Sequence, residues 1–160
     1  MGRVLRVIAL FIGLLATMGV AVAFAAGFHD GPIGPFPGGP FRGPLANGPE
    51  PDWSFLDRTD GVDLEVDSAN PRSVHVWVLR DGNAVFVPSA LAAKKRWPGQ
   101  VVADPRVRLR VDGKIYERSA ARVTDPEEIR RLVDAAIAKY HVSHGDPETT
   151  WFFRLDPPKA

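Results

Sequence analysis

The stretch SVHVWVLRDGNAVFVP, residues 73–88, decides the fold class of this chain. Valines alternate with other side chains from 73 to 79, which is typical of a strand with one buried face. Asp81-Gly82-Asn83 then supplies the positive φ that a tight hairpin turn needs. The apolar residues 84–88 return as a second strand, so the stretch predicts an antiparallel hairpin.

Further strands are predicted on both sides of this hairpin. The segment 106–111 alternates strictly between apolar and charged residues, and Asp112-Gly113 after it is a second hairpin signal. Consecutive hairpins imply antiparallel pairing of the strands. The predicted strands besides the first two are 62–67, 106–111, 114–123 and 149–155.

One helix is predicted before the last strand. Thr124-Asp125-Pro126-Glu127 has the pattern of a capping box, in which the Thr124 hydroxyl accepts from an amide of the first turn. Apolar residues then recur with a period near 3.6 as far as Tyr140, and Lys139 falls on the opposite face. These elements predict a mostly β, α+β domain over residues 52–160: a small antiparallel barrel, closed or half-closed, with a packed helix.

The N-terminus predicts a single transmembrane helix. Arg3 and Arg6 precede an uncharged run at 7–28, whose 22 residues span roughly 33 Å as a helix. The two cations place residues 1–6 in the cytoplasm and the C-terminal domain outside it. A secreted form is the alternative, because Ala21-Val22-Ala23 and Ala23-Phe24-Ala25 both fit signal-peptide cleavage sites. The length of the apolar run favours a membrane anchor over a cleaved signal peptide.

A Pro/Gly-rich linker is predicted between the anchor and the barrel, at residues 29–51. Gly and Pro make up 14 of the 25 residues from Gly27 to Pro51, a density that no helix or strand ladder tolerates. We therefore expect a disordered or partly extended tether. Phe28, Phe36 and Phe41 are potential contacts with the membrane or the barrel, although the composition favours a plain linker.

The composition excludes several classes of function. The chain has no cysteine, which excludes disulfides, thiol nucleophiles and thiolate metal sites. Its formal net charge is only +1, so we expect no nucleic-acid partner. His141 and His144 lie three residues apart with the carboxylate of Asp146 nearby, but no third strong ligand is evident, and we expect no metal site. The motifs of a hydrolase nucleophile and of a phosphate-binding loop are absent from the sequence.

The basic segment Lys94-Lys95-Arg96-Trp97 raises the main question about function. It lies in a predicted helical crossover, 89–103, that is interrupted at Pro98-Gly99 and that Ser89 would cap. One interpretation is a solvated helix whose tryptophan covers the core. The other is an anion site, on which one or two of the three cations converge near a helix start.

Two predicted strands carry charges along one face. Arginines occupy alternate positions of one strand, and acids occupy alternate positions of another. An anion-binding groove is one interpretation of the arginines, but both faces are more typical of solvated surfaces. The residues are Arg106, Arg108 and Arg110, and Asp63, Glu65 and Asp67.

The order of the motifs along the chain is informative in itself. The motifs are Asn70-Pro71-Arg72, the strand through Trp77, Asp81-Gly82, the strand 85–88, the basic segment 94–97, Ala103-Asp104-Pro105 and the strand 107–111. This order resembles that of the flavin-binding split-barrel proteins, which include pyridoxamine-phosphate-oxidase-like and deazaflavin-dependent reductase-like domains. The resemblance covers about residues 54–157.

The resemblance implies a split β-barrel that binds FMN or a deazaflavin, commonly at the interface of a homodimer. In that family the second strand and the basic helix hold the phosphate and the ring edge of the cofactor. Lys95 with Trp97 is the narrowest prediction of this site. The implied cofactor-binding residues are Val87, Ser89, Lys94, Lys95 and Trp97, with Arg72 and His75 as further candidates.

The resemblance also implies an oxidoreductase, in which the cofactor transfers the hydride and the protein orients it. Such an enzyme needs no side-chain nucleophile, which agrees with the absence of a hydrolytic motif. We assign no catalytic residue from the sequence. The alternative function is a cofactor-free split barrel that acts as a binding module at the cell envelope, because a fold alone does not fix a function.

Overall fold

The computed structural model of the chain describes residues 2–142 and 146–158. It confirms the predicted fold, a split β-barrel with a packed helix and a long N-terminal apolar helix. The helices are α1 (Gly2–Ala26), α2 (Arg96–Ala103) and α3 (Pro126–Tyr140). The strands are β1 (Gly61–Val66), β2 (Arg72–Trp77), β3 (Leu79–Asp81), β4 (Ala84–Ser89), β5 (Arg106–Val111), β6 (Lys114–Arg122) and β7 (Trp151–Asp156).

The seven strands form one antiparallel sheet in the order β2-β1-β5-β6-β7-β4-β3. Its two edges, β2 and β3, are consecutive in the chain and are separated by the single residue Val78. The sequence predicted one continuous strand through 73–79, which is wrong at this point. The chain crosses from one edge of the sheet to the other at Val78, so the sheet curls and its two unpaired edges meet at this corner.

The end of α3 satisfies the backbone of Val78, which lies outside both ladders. The Tyr140 hydroxyl accepts from the Val78 amide at 2.9 Å, and Lys139 Nζ donates to the carbonyls of Val78 (2.8 Å) and Leu56 (2.7 Å). The prediction that Lys139 lies on the solvent face of the helix is therefore wrong. Burial lowers the pKa of Lys139, and burial raises the pKa of Tyr140.

We expect Tyr140→Phe to lower the free energy of unfolding by about 1–3 kcal/mol, because it leaves a backbone amide at the barrel corner without its partner. Urea unfolding followed by tryptophan fluorescence measures the change. Tyr116→Phe is the matched control, since no hydrogen bond of the Tyr116 hydroxyl is found in the described part of the chain. Equal losses in the two variants would contradict the role assigned to Tyr140.

The apolar side chains form two clusters on opposite faces of the sheet. The barrel interior contains Trp53, Leu64, Leu109 and Phe153, all fully or almost fully buried. The outer face of β4 and β7 packs instead against the apolar side of α3. This division follows from the alternation of side chains along each strand, which sends neighbouring residues to different faces.

Two helix starts differ from their predictions. Asp125, rather than Thr124, caps α3, and its carboxylate accepts from the amides of Glu127 and Glu128. The crossover is not interrupted at Pro98-Gly99, because both residues lie inside α2. Pro98 is in the first helical turn, where a missing amide breaks no helical hydrogen bond.

The segment 29–51, called here the Gly/Pro segment, packs against the sheet instead of forming a disordered tether. Gly38 pairs with Ser73 on the free edge of β2, and the Ala46 amide donates to the Ile115 carbonyl at 2.7 Å. Phe41, in the middle of this segment, is buried, and the Arg110 guanidinium lies 4.3 Å from the centre of its ring. The expectation of a plain linker is therefore wrong for these contacts.

The Gly/Pro segment covers most of the charged faces of β1 and β5, which were expected to be solvated, whereas Arg106 at the start of β5 is exposed as expected. Glu65 is only 5% exposed, and Arg108 Nε and Nη2 donate to its two carboxylate oxygens at 2.6 Å each. Arg110 donates to Asp63 at 3.0 Å and to Asp30 of the segment at 2.7 Å. Hydrogen bonds from the Arg42 amide and from Arg110 hold the pKa of Asp30 below its usual range.

Helix α1 has the length and composition of a membrane-crossing helix. Its 25 residues have a mean hydropathy of 2.6 in the most apolar window, and its side chains are exposed along nearly its whole length. A helix of this length spans roughly 37 Å, more than the hydrocarbon core of a bilayer. A membrane anchor and a signal sequence both fit this helix.

Candidate functional site

The main cleft of the domain lies where the barrel is split. Its volume is about 1050 Å³, and it opens between β2, the start of α2, the apolar side of α3 and one turn of the Gly/Pro segment. A cleft of this size holds a cofactor or a drug-sized ligand. Strand β2 is a sheet edge, so side chains from both of its faces reach the cleft.

The floor and one wall of the cleft are apolar. Trp97 is almost buried, and its ring lies 5.6 Å from that of Phe153 in the barrel core. Trp77 stacks on Tyr140, with the ring centres 4.2 Å apart and the planes inclined by 11°. Further apolar side chains of the lining include Val74, Val76, Leu91, Val133, Ile137 and Phe152.

The rim of the cleft carries cations at the start of α2. Lys95 and Arg96 are exposed and line the cleft, and neither forms an ion pair with an acid of residues 2–142 or 146–158. In the described residues no side chain caps the N-terminus of α2, so the amides of Arg96 and Trp97 have no side-chain acceptor there, while Pro98 has no amide. Uncapped amides beside two unpaired cations suit a phosphate or carboxylate group.

Two polar contacts fix the position of α2. Gln100 Nε2 donates to the Asp67 carboxylate at 3.1 Å, which ties the helix to the loop between β1 and β2. Asp104 follows the helix and receives hydrogen bonds from Arg106 and Ser68. These bonds hold the pKa of Asp104 well below its usual range, so this contact stays ionised at neutral pH.

Four of the seven predicted cofactor residues meet in this cleft: Arg72, His75, Lys95 and Trp97. His75 Nδ1 is 2.8 Å from the Asp63 carboxylate, which orients the imidazole on the cleft wall. The position of Trp97 agrees with both interpretations of the basic segment. Its ring packs on the barrel core, as expected for a covering tryptophan, and it also lines the cleft, as expected for a ligand site.

The other three predicted residues lie outside the cleft lining. Val87 is fully buried inside the barrel, and Lys94 is exposed in a short 3-10 turn, Ala92–Lys94. Ser89 does not cap the crossover. It is buried at the end of β4, and its hydroxyl has no hydrogen-bond partner in the part of the chain that the structure describes.

Sequence reasoning missed several residues of the cleft. The sequence marked Arg96 as one of three adjacent cations but did not assign it to the site. In the structure Lys95 and Arg96 lie at the start of α2, whereas Lys94 ends the preceding 3-10 turn. The apolar side of α3 was expected to face only the core, but Val133 and Ile137 also line the cleft. The turn Gly34–Pro37 carried no signal, because low-complexity sequence does not reveal what it packs against.

Metal chemistry has no candidate in the described residues. Groups of three or more histidine and carboxylate side chains that would hold an ion are absent from residues 2–142 and 146–158. His144, part of the short His/Asp stretch considered above, lies outside the described residues.

Comparison with solved structures shows the same fold. A conserved hypothetical protein of Mycobacterium tuberculosis matches with a TM-score of 0.55 and 15% identity over 74% of this chain and 85% of its own. A Listeria innocua protein named for pyridoxamine 5'-phosphate oxidase matches with a TM-score of 0.53 and 15% identity over 66% of this chain and 90% of its own. A Mesorhizobium loti FAD-binding protein matches with a TM-score of 0.50 and 14% identity over 68% of this chain and 88% of its own.

At these identities the structural likeness establishes the fold alone. A search of curated proteins gave no match. A family model does match, and it is the one for F420H(2)-dependent quinone reductases, over residues 64–149. The matched region runs from β1 through α3, so it contains β2, α2 and most of the residues that line the cleft. Because the match covers more than half of the 160 residues, the chain belongs to the F420H(2)-dependent quinone reductase family.

Proposed function

We propose that this chain is a membrane-anchored oxidoreductase domain that binds a reduced deazaflavin of the F420 type and reduces a quinone-class acceptor. FMN is the second flavin that the same cleft would accept. The observation that carries the proposal is the combination of an apolar cleft of about 1050 Å³ with unpaired cations and open helix amides at its rim. The family match supports the choice of a deazaflavin and of a quinone.

The residues of the cleft fit such a cofactor. Lys95, Arg96 and the first amides of α2 would hold its phosphate group, because cations and helix-start amides both favour anions. Trp97 and Phe152 offer apolar surface for a flat ring system. The bound cofactor would supply the hydride, and the protein would supply binding, orientation and exclusion of water.

Reduction of a quinone to a quinol consumes a proton together with the hydride. His75 lies on the cleft wall, and Asp63 fixes its orientation through Nδ1. An imidazole held in this way is suited to deliver a proton to an acceptor oxygen within its reach. We therefore propose His75 as the proton donor, a role beyond the cofactor contact expected from the sequence.

The test is a titration of the full chain in detergent with F420 and, separately, with FMN, followed by fluorescence and visible absorbance. We expect Lys95→Ala and Arg96→Ala each to weaken F420 binding by roughly 10- to 100-fold, the effect of losing one hydrogen bond to a charged group. Arg131→Ala is the matched control, because Arg131 is an exposed arginine of α3 outside the cleft lining.

Three results would contradict the proposal or part of it. If neither flavin binds to the full chain, the alternative of a cofactor-free binding module at the cell envelope replaces it. Binding that Lys95→Ala, Arg96→Ala and Arg131→Ala weaken equally would show that the phosphate lies elsewhere. Tighter binding of FMN than of F420 would reverse our choice of cofactor.

The arrangement in the membrane is part of the same proposal. We propose that residues 1–6 stay in the cytoplasm, that the apolar segment 7–28 anchors the chain, and that the Gly/Pro segment and the barrel, 52–160, lie outside the cytoplasm. The exposed side chains of α1 and the cations at Arg3 and Arg6 support this orientation. Homodimerisation of the barrel, implied by the resemblance, belongs to the proposal as well.

A further inference from the structure

The end of the anchor helix is bonded directly to the rim of the cleft. Arg72 Nη1 donates to the carbonyl of Gly27, the first residue after α1, at 3.0 Å. Arg72 itself lines the cleft. Two residues further on, the His29 carbonyl accepts from the Gly39 amide at 3.0 Å, so the chain folds onto the domain as soon as the helix ends. The structure therefore leaves no free spacer between the helix and the cleft.

Apolar side chains are exposed around this junction. Phe28 follows the helix and packs edge-on against Phe24, with the ring centres 5.3 Å apart. Ile33 is exposed and forms a bridge with Phe36, which lines the cleft. Leu91, another residue of the cleft lining, is also exposed. Aromatic and aliphatic side chains at such a position are typical of the boundary between headgroups and acyl chains.

Cations stand beside these apolar side chains. Arg72, Lys95 and Arg96 all line the cleft and are exposed, and Lys94 precedes them as a further exposed cation. Each Lys or Arg near an anionic bilayer surface adds roughly 1 kcal/mol of attraction. An apolar patch with a basic border has the composition of a surface that docks on an anionic membrane.

We infer that the mouth of the cleft docks on the surface of the bilayer that holds α1, with Phe28 and Ile33 at the acyl boundary and the basic rim among anionic headgroups. The inference rests on the anchoring in the proposed function. It places the entrance for the second substrate at the membrane, so an apolar acceptor dissolved in the bilayer reaches the cleft without crossing water.

The bilayer fits this face better than a second copy of the chain does. A membrane that surrounds α1 lies next to Arg72, because Gly27 follows the last residue of the helix and accepts a hydrogen bond from Arg72. Three exposed cations of the cleft lining, Arg72, Lys95 and Arg96, would meet the same three cations in a symmetric dimer through this face, which is unfavourable, so the homodimer of the proposed function would form through another face. The same cations complement anionic lipid headgroups.

The natural absence of cysteine makes a depth measurement direct, since single cysteines can be labelled without background. The full chain carries a fluorophore at position 33 (Ile33→Cys) or at position 45 (Leu45→Cys), in vesicles of equal parts phosphatidylcholine and phosphatidylglycerol. The two positions are matched: both lie in the Gly/Pro segment, and Ile33 and Leu45 are 38% and 39% exposed. Leu45 lines a smaller cleft near the turn between β5 and β6.

We expect nitroxide-labelled lipid to quench the fluorophore at position 33 about threefold more than the one at position 45, because docked apolar side chains sit roughly 5–10 Å into the headgroup boundary. The difference should shrink in vesicles of phosphatidylcholine alone. Equal quenching at both positions, in a chain that alkaline carbonate does not extract, would overturn the docking and leave the anchor intact.

Two further outcomes also decide the matter. Extraction of the chain by carbonate would overturn the anchoring and, with it, the docking, while the flavin titration would still test the cofactor separately. Energy transfer between labels at position 33 of different chains, without quenching by lipid, would show that a second copy covers this face and would overturn the lipid docking.

Discussion

Replacement of Arg108 by leucine will lower the free energy of unfolding by about 3–5 kcal/mol, because it leaves the charge of Glu65 buried without its partner. Glu65 is 5% exposed and receives two hydrogen bonds from Arg108 and one from the Phe41 amide. Among the described residues, the Phe41 amide is then the one hydrogen-bond partner left to Glu65. Urea unfolding of the full chain in detergent, followed by tryptophan fluorescence, measures the loss.

Two controls make this result specific to the buried pair. Arg106→Leu removes an exposed arginine from the same strand face, and its pair with Asp104 is worth about 1 kcal/mol or less. The double variant Glu65→Leu, Arg108→Leu should lose less stability than Arg108→Leu alone, since no charge is then left buried. A loss under 1 kcal/mol for Arg108→Leu would contradict the burial of Glu65 beneath the Gly/Pro segment.

The second large effect is expected for Trp53→Ala, again about 3–5 kcal/mol of unfolding free energy. Trp53 is fully buried at one end of the barrel, in a 3-10 helix, Trp53–Arg58. Its ring lies 5.0 Å from that of Tyr116 and 5.0 Å from the Arg118 guanidinium. Its Nε1 donates to Glu50 at 2.6 Å, and Glu50 also accepts from Arg118 at 2.9 Å. The substitution thus leaves a cavity and removes the ring that packs against the buried Arg118 guanidinium.

Trp77→Ala is the matched control for this prediction. Trp77 is exposed and, among the described residues, stacks on the Tyr140 ring alone, so we expect the Trp77→Ala variant to lose about 1 kcal/mol of unfolding free energy. Trp53→Phe keeps most of the packing but loses the bond to Glu50, and its loss should fall between those of the other two variants. If Trp53→Ala and Trp77→Ala lose equal stability in urea unfolding, the packing role of Trp53 is refuted.

The alternating strands were predictable because the period of two is a local property of the sequence. The segments 106–111 and 84–88 were predicted almost to the residue, and the resulting split-barrel fold is confirmed. The corner at Val78 was missed because the alternation runs through it: Val76 and Val78 are both buried. Local pattern reports which side chains are buried, but it does not report which neighbouring strand each residue pairs with.

The predictions for the charged strand faces and for the Gly/Pro segment were wrong for a related reason. Asp63 and Arg110 are separated by 47 positions, and Asp30 and Arg110 by 80. Each charge looks solvated when its own strand is considered, and becomes paired only when the register of β1 against β5 is known. The cleft was predictable only in part. The basic segment marks its rim in the sequence. Its walls include α3 and a turn of the Gly/Pro segment, which lie far from the basic segment along the chain.

The closing corner at Val78 has a consequence for solubility. Beyond it, β2 and β3 remain the two open borders of the sheet, where an unsatisfied backbone would recruit a strand from another molecule. Strand β3 is only three residues long and carries Arg80 and Asp81, which discourages such recruitment. The longer border, β2, is occupied instead at Ser73 by Gly38. The Gly/Pro segment therefore blocks this border at one position, Ser73, and its removal would leave the whole edge of β2 open to pairing with a strand of another molecule.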